Sequence, residues 1–110
     1  MKVIASQRIQ VNANTKTYVD LYTVRPGSRL KLQKIQIFFP AGTYDELRVK
    51  ILQGWASLAP TDGYFTGDEV LIEKDVEAEY GSQSVVRAYV ENLNLSYQRE
   101  CVITLLGEEA

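Results

Sequence analysis

The chain contains no histidine and only one cysteine among its 110 residues. Without histidine it lacks the usual base of a serine or cysteine hydrolase and the most common metal-binding side chain. A single cysteine, Cys101, excludes an intramolecular disulfide and most zinc sites. These absences exclude many enzyme classes and favour a reducing compartment, or a particle that is assembled inside a cell.

Long apolar runs are also missing, and the longest cover only a few residues, as at Ile37 and Phe38. Such runs are too short to span a bilayer, so no membrane association is expected. Residues 1–6 carry one lysine and a short apolar segment, which is too little for a signal peptide.

Recognisable catalytic and nucleotide-binding motifs are absent too: the chain has no G-x-S-x-G, no G-x-x-x-x-G-K-[ST] and no G-x-G-x-x-G. Asp62, Asp68 and Glu69 lack the spacing of an EF-hand calcium loop. Cys101 stands among apolar strand residues and is predicted to be a buried small hydrophobe, not a nucleophile. We therefore predict no catalytic residue, no metal site and no cofactor.

Apolar residues mostly recur at every second position, which is the period of a β-strand. Runs of this kind cover residues 3–11, 17–24, 29–39, 69–74, 86–91 and 97–106. With a further strand favoured at residues 43–53, the expected total is seven or eight strands and no firm helix, which predicts a single all-β domain over residues 1–110. The expected architecture is an antiparallel β-sandwich, with the jelly roll as one of its forms.

The third run changes phase, because Leu30 and Leu32 stand at even positions whereas Ile35 and Ile37 stand at odd ones. An extra residue near positions 33–34 would return both pairs to one face of the sheet. We therefore predict a β-bulge there.

Three further segments depart from simple alternation. Residues 43–53 fit either a short helix, because Thr43 with Glu46 forms a capping box, or a strand, which we favour. Residues 54–68 contain three glycines and a proline and are predicted to form a long irregular loop. Residues 107–110 are predicted to be a frayed tail.

Charge is divided unevenly along the chain, whose formal net charge is −2. Residues 1–55 contain nine Lys or Arg and three Asp or Glu, whereas residues 56–110 contain three and eleven. One interpretation is that strands from the two halves pair within the fold and neutralise each other. The alternative is that a basic patch on one copy meets an acidic patch on the next. The net acidity makes nucleic acid an unexpected partner.

Several strands carry apolar side chains on both faces, although a sandwich strand buries only one. In a regular strand Tyr18 and Tyr22 share the face opposite Leu21, and Phe38 and Leu71 likewise stand opposite apolar neighbours. Surplus apolar surface is typical of subunit association, so Tyr18, Tyr22, Phe38 and Leu71 are predicted interface residues. The alternative is that the protein's own long loops cover them.

Aromatic residues of the predicted long loop form a second candidate site. Trp55, Tyr64 and Phe65 suit a platform on which sugar rings stack, as in a carbohydrate-binding module. The alternative is that these rings fold back and plug one end of the sandwich.

Residues 21–30 (LYTVRPGSRL), followed by IQI at 35–37, resemble a pattern in small β-sandwich proteins of phage and viral particles. There a Y-T-V-P-x-G-like turn feeds a long strand of the interface-facing sheet; here Arg25 is inserted before the proline. The closing segments, VEN at 90–92 and residues 101–106, are similar to that group as well. The resemblance implies a decoration or minor structural component of a capsid, in a virion or the cytoplasm of a host cell.

These features predict a non-enzymatic structural protein that forms a homo-oligomer and attaches to a larger, capsid-like assembly. A carbohydrate-binding module that uses the loop aromatics is the alternative. An enzyme that relies on paired carboxylates is a third hypothesis, since sequence adjacency alone does not place two carboxylates across a sugar.

Overall fold

The computed structural model describes all 110 residues. The segments in which apolar and polar residues alternate form eight β-strands. The strands are β1 (Lys2–Val11), β2 (Lys16–Thr23), β3 (Leu30–Phe39), β4 (Leu47–Gln53), β5 (Ala56–Ala59), β6 (Val70–Tyr80), β7 (Val85–Asn92) and β8 (Arg99–Glu109). They form two four-stranded antiparallel sheets, which confirms the predicted β-sandwich. None of its segments is a helix of the length and apolarity needed to cross a membrane.

The two sheets are built by nested pairing of distant strands. Sheet 1 has the order β1-β8-β3-β6, and sheet 2 has the order β2-β7-β4-β5. Thus β1 pairs with β8, β2 with β7, β3 with β6 and β4 with β5, always antiparallel. This pattern fits the jelly-roll form of the sandwich.

The same pairing explains the uneven charge of the chain. All eight ion pairs join a group in residues 1–55 to a group in residues 56–110. Lys34, for example, lies 3.9 Å from Glu73 and 3.8 Å from Asp75 across the β3–β6 pair. Neutralisation within the fold is therefore the correct interpretation for these charges.

The core lies between the sheets and follows the predicted phase of β3. Leu30, Leu32, Ile35 and Ile37 are all buried, although the two pairs differ in phase. The register shifts between Leu32 and Lys34 against both β6 and β8. This shift confirms the predicted β-bulge.

The segment between β4 and β6 differs from the prediction. Residues 47–53 are a strand, as favoured, but residues 54–68 are not a continuous irregular loop. Gln53 pairs with Ala56 across a two-residue turn, and β5 follows as a short edge strand. Gly54 has a positive φ of 62° at this turn. The glycine that predicted a loop is therefore the first residue of a hairpin turn.

The predicted frayed tail is also wrong. β8 continues to Glu109, which pairs with Leu30 of β3, and Glu108 pairs with both Lys2 of β1 and Lys31 of β3. The buried Glu109 carboxylate accepts hydrogen bonds from the Tyr22 hydroxyl at 2.6 Å and the Arg25 amide at 3.0 Å. These tertiary contacts order a polar segment that local sequence marks as mobile.

Candidate functional site

The outer face of sheet 2 carries a row of aromatic and basic side chains. Tyr18 lies opposite Tyr89, and Tyr89 lies opposite Lys50 on the other side. Residues directly opposite in antiparallel strands share a face. The neighbouring Ala88 is buried in the core. Because successive side chains of a strand point to opposite faces, Tyr89, Tyr18 and Lys50 point away from the core.

Two aromatic rings from connecting segments join this row. Trp55 is the second residue of the β4–β5 turn and is 71% exposed. Tyr64 precedes Phe65, whose backbone exchanges hydrogen bonds of 3.0 and 2.8 Å with Val49 of β4. This bridge holds the segment beside the sheet, so Tyr64 lies against the row.

The rings form what we call the aromatic groove, a depression of about 470 Å³. The ring centroids of Tyr18 and Trp55 are 5.2 Å apart in an edge-to-face arrangement. Tyr18 and Tyr89 are 5.4 Å apart, and Tyr64 and Tyr89 are 6.0 Å apart. Leu52 forms part of the apolar lining. These separations are those of interacting aromatic pairs, so the four rings support one another.

Basic side chains give the aromatic groove a cationic border. The Lys50 ammonium lies 4.4 Å from the Tyr64 ring centroid. The Arg87 guanidinium lies 4.8 Å from the Trp55 ring centroid and 2.8 Å from the Asp20 carboxylate, which orients it. Since an aromatic face attracts cations, these contacts restrict the exposed rings.

The Tyr89 phenol is a half-buried polar group of the aromatic groove. Burial, followed by the nearby Glu91 carboxylate, raises the pKa of Tyr89. Its hydroxyl donates to Glu91 at 3.3 Å. The phenol therefore stays neutral at physiological pH.

The outer face of sheet 1 has an apolar row of its own. Phe38 lies opposite Leu71 of β6 and Val102 of β8. Phe38 is 40% exposed and Leu71 is 51% exposed, whereas the adjacent Phe39 is fully buried in the core. We call Phe38, Leu71 and Val102 the apolar row.

The four predicted interface residues do not form one surface. Phe38 and Leu71 are neighbours in the apolar row, but Tyr18 is on the opposite side of the sandwich, in the aromatic groove. Tyr22 does not share the face of Tyr18, as a regular strand would require, because the register of β2 shifts between Asp20 and Tyr22. Tyr22 instead lies opposite the buried Val86 and packs against the core.

The three predicted ligand-binding residues also separate. Trp55 and Tyr64 meet in the aromatic groove, whereas Phe65 packs against the core beside Val49. The groove includes Tyr89, which sequence reasoning did not select. Tyr89 stands at an outward position of an alternating strand, and this local pattern could have indicated that its side chain is outside the core. Which side chains lie beside it depends on the strand order, which the local pattern does not predict.

Cys101 is buried between the sheets, as predicted. Burial, with a smaller contribution from the Glu100 carboxylate, raises the pKa of the thiol to about 12. The thiol is therefore protonated at neutral pH, whereas a nucleophilic cysteine reacts as the thiolate.

Comparison with known proteins finds similarity in structure but not in sequence. No family model and no curated protein matches the chain. A chain from the acid-stable capsid of Helicobacter pylori bacteriophage KHP30 matches with a TM-score of 0.55 and 14% identity, over 99% of this chain and 92% of that one. At this identity the likeness concerns the fold alone. It agrees with the resemblance to β-sandwich proteins of phage particles that the sequence indicates.

Two other structures match at lower TM-scores. A chain from the disulfide-linked pili of Bacillus endospore appendages has a TM-score of 0.37 and 11% identity, over 97% of this chain and 89% of that one. A de novo designed double-stranded β-helix has a TM-score of 0.28 and 13% identity, over 94% of this chain and 97% of that one.

Proposed function

We propose that this chain is a non-enzymatic structural protein that associates with itself and with a larger, capsid-like assembly. In this proposal it is a decoration or minor component of a virion. The observation that carries the proposal is the apolar row, where Phe38 and Leu71 stay exposed beside a core that is complete without them. The end-to-end likeness in fold to a phage capsid chain supports it.

The energetics of the apolar row favour a protein partner. Complete burial of a Phe or Leu side chain contributes about 1.5–3 kcal/mol, and because Phe38 is 40% exposed and Leu71 is 51% exposed, about half of that remains for a partner to supply at each. Phe38 and Leu71 are adjacent across the β3–β6 pair, so one partner surface can cover both at once. Adjacent exposed apolar side chains of this kind suit the apolar core of a protein interface.

Light scattering from micromolar to millimolar concentration tests this proposal. We expect the wild type to exceed the 12.4 kDa monomer mass, and Phe38→Ser with Leu71→Ser to shift it towards monomer. Leu95→Ser, at an exposed leucine outside the strands, is the matched control and should keep the wild-type mass. A wild type that stays monomeric throughout, with no co-purifying assembly, contradicts self-association.

A carbohydrate-binding module is the second candidate function, and the aromatic groove is the observation that favours it. Its four rings and its volume of about 470 Å³ suit one or two sugar units. Lys16 and Lys50 line the groove and make no ion pair inside the molecule, so they favour a sugar that carries a carboxylate or sulfate.

Glycan-array binding with Trp55→Ala distinguishes this candidate. We expect binding of acidic glycans, at least a tenfold loss in Trp55→Ala, and no loss in Tyr97→Ala, which removes an exposed ring outside the groove. Binding that persists in Trp55→Ala, or an array without any signal, argues against the module.

A further inference from the structure

Sheet 1 ends in two edge strands, β1 and β6, and each leaves one row of backbone groups without a strand partner. β1 pairs with β8 along its whole length without a register shift. Outside the ladders, no hydrogen bond uses a backbone group of residues 2–10. In β6 only the Glu79 carbonyl accepts one, from the Gln53 side chain. Neither strand contains proline, so both edges are open to a further strand.

The two edges carry opposite charge. β1 contains Lys2 and Arg8 and no acidic residue. β6 contains four acidic residues and one lysine, and Glu69 directly precedes it. Lys2, Glu69 and Glu77 take part in no ion pair within the molecule. Charge that the fold does not neutralise therefore remains at both edges.

The strand directions match as well. Three antiparallel steps separate β1 from β6, so the two strands run in opposite directions. A second copy displaced sideways in the plane of the sheet, without rotation, sets its β1 antiparallel to β6 of the first. The strands have 10 and 11 residues, so their lengths also agree.

We propose that copies of this chain associate head to tail, with the basic edge β1 of one copy paired antiparallel to the acidic edge β6 of the next. This inference rests on the proposed self-association and adds a contact distinct from the apolar row. The contact is heterologous, so it repeats along a line or closes into a ring. The net charge of each edge, basic for β1 and acidic for β6, opposes pairing of β1 with β1 or β6 with β6.

Charge reversal at each edge tests the proposal. One variant carries Lys2→Glu and Arg8→Glu, and the other carries Glu69→Lys and Glu77→Lys. The first variant has two acidic edges, and the second has a basic β1 and a β6 edge without net charge, so we expect light scattering at low salt to show loss of association in each. An equimolar mixture restores the contact, because the unchanged basic β1 of the second variant meets the unchanged acidic β6 of the first. In the wild type, raising the salt concentration weakens the same contact.

The control variant carries Lys31→Glu and Arg48→Glu, the same change of charge on the interior strands β3 and β4, and should associate as the wild type does. Arg8→Glu replaces an exposed ion pair with Glu100 by two exposed carboxylates, which costs little because solvent screens them, and thermal unfolding of each variant verifies folding. Three outcomes overturn the edge contact while the proposed function stands: edge variants that associate normally, a mixture that stays monomeric, or a control variant that loses association as much as the edge variants do. A wild type that is monomeric throughout overturns both.

Discussion

At the scale of single residues, the molecule depends on two buried polar side chains that close the ends of the sandwich. The Asn92 amide donates to the backbone carbonyls of Val11 at 3.1 Å and Tyr97 at 2.9 Å. The Glu109 carboxylate, near the chain terminus, accepts hydrogen bonds from the Tyr22 hydroxyl and the Arg25 backbone amide. Because a buried polar group is costly without partners, these bonds specify how the loops meet the core.

The Glu109 contacts predict a defined dependence of stability on pH. Hydrogen bonds from Tyr22 and the Arg25 amide lower the pKa of Glu109 from its ordinary 4.5. A lowered folded-state pKa contributes stability that is present above pH 4.5 and is lost as the pH falls through the folded value. We expect Glu109→Gln to lower the urea midpoint at neutral pH and to flatten its decline in acid.

The matched control is Glu108→Gln at the neighbouring, half-exposed position, which should leave the urea midpoint within error of the wild type. Tyr22→Phe should lower the midpoint in the same direction as Glu109→Gln, since it removes one donor and keeps the ring. An unchanged acid profile in Glu109→Gln would show that the carboxylate is not a source of the pH dependence.

At the scale of elements, register shifts decide which side chains meet. The shift opposite Leu32 lets β3 keep both of its apolar phases in the core, and Gly107 of β8 lies at the same level. A Cβ on Gly107 would approach the Lys31 carbonyl oxygen to 2.5 Å and the Leu32 Cα to 3.2 Å. Glycine is therefore required here by the close approach of two strands.

We expect Gly107→Ala to destabilise the protein by about 1–3 kcal/mol, because backbone atoms must move to admit the methyl group. Gly81→Ala is the control, since a Cβ there meets only the Ser84 hydroxyl oxygen at 3.9 Å. Urea unfolding at neutral pH measures both. Equal stability of the two variants would mean that β8 and β3 separate at little cost at this point.

At the scale of the whole molecule, the nested strand order brings the basic first half of the chain beside the acidic second half, so that many charges are paired within the fold and others remain unpaired at the surface. Ion pairs between the halves use six of the twelve Lys and Arg side chains. Among the remainder, Lys2 lies at an edge of sheet 1, and Lys16 and Lys50 lie by the aromatic groove. The surfaces available for partners are thus those whose charges the fold leaves unpaired.

Part of the candidate site could be predicted from the sequence, and part could not. Trp55, Tyr64, Phe38 and Leu71 have exposed side chains, which alternation and turn residues indicate as local signals, and their roles in binding stay predictions. The grouping was wrong for Tyr22, because a single unmarked shift in β2 turns its side chain to the core.

The sequence by itself determined the all-β class, the phase of most strands, the bulge in β3 and the burial of Cys101, since each follows from the spacing of neighbouring residues. Only the tertiary structure decided which strands are edges, which rings share a face and that the last residues are ordered. Those properties depend on contacts between residues far apart in the chain, such as Tyr22 with Glu109, and local spacing contains no information about them.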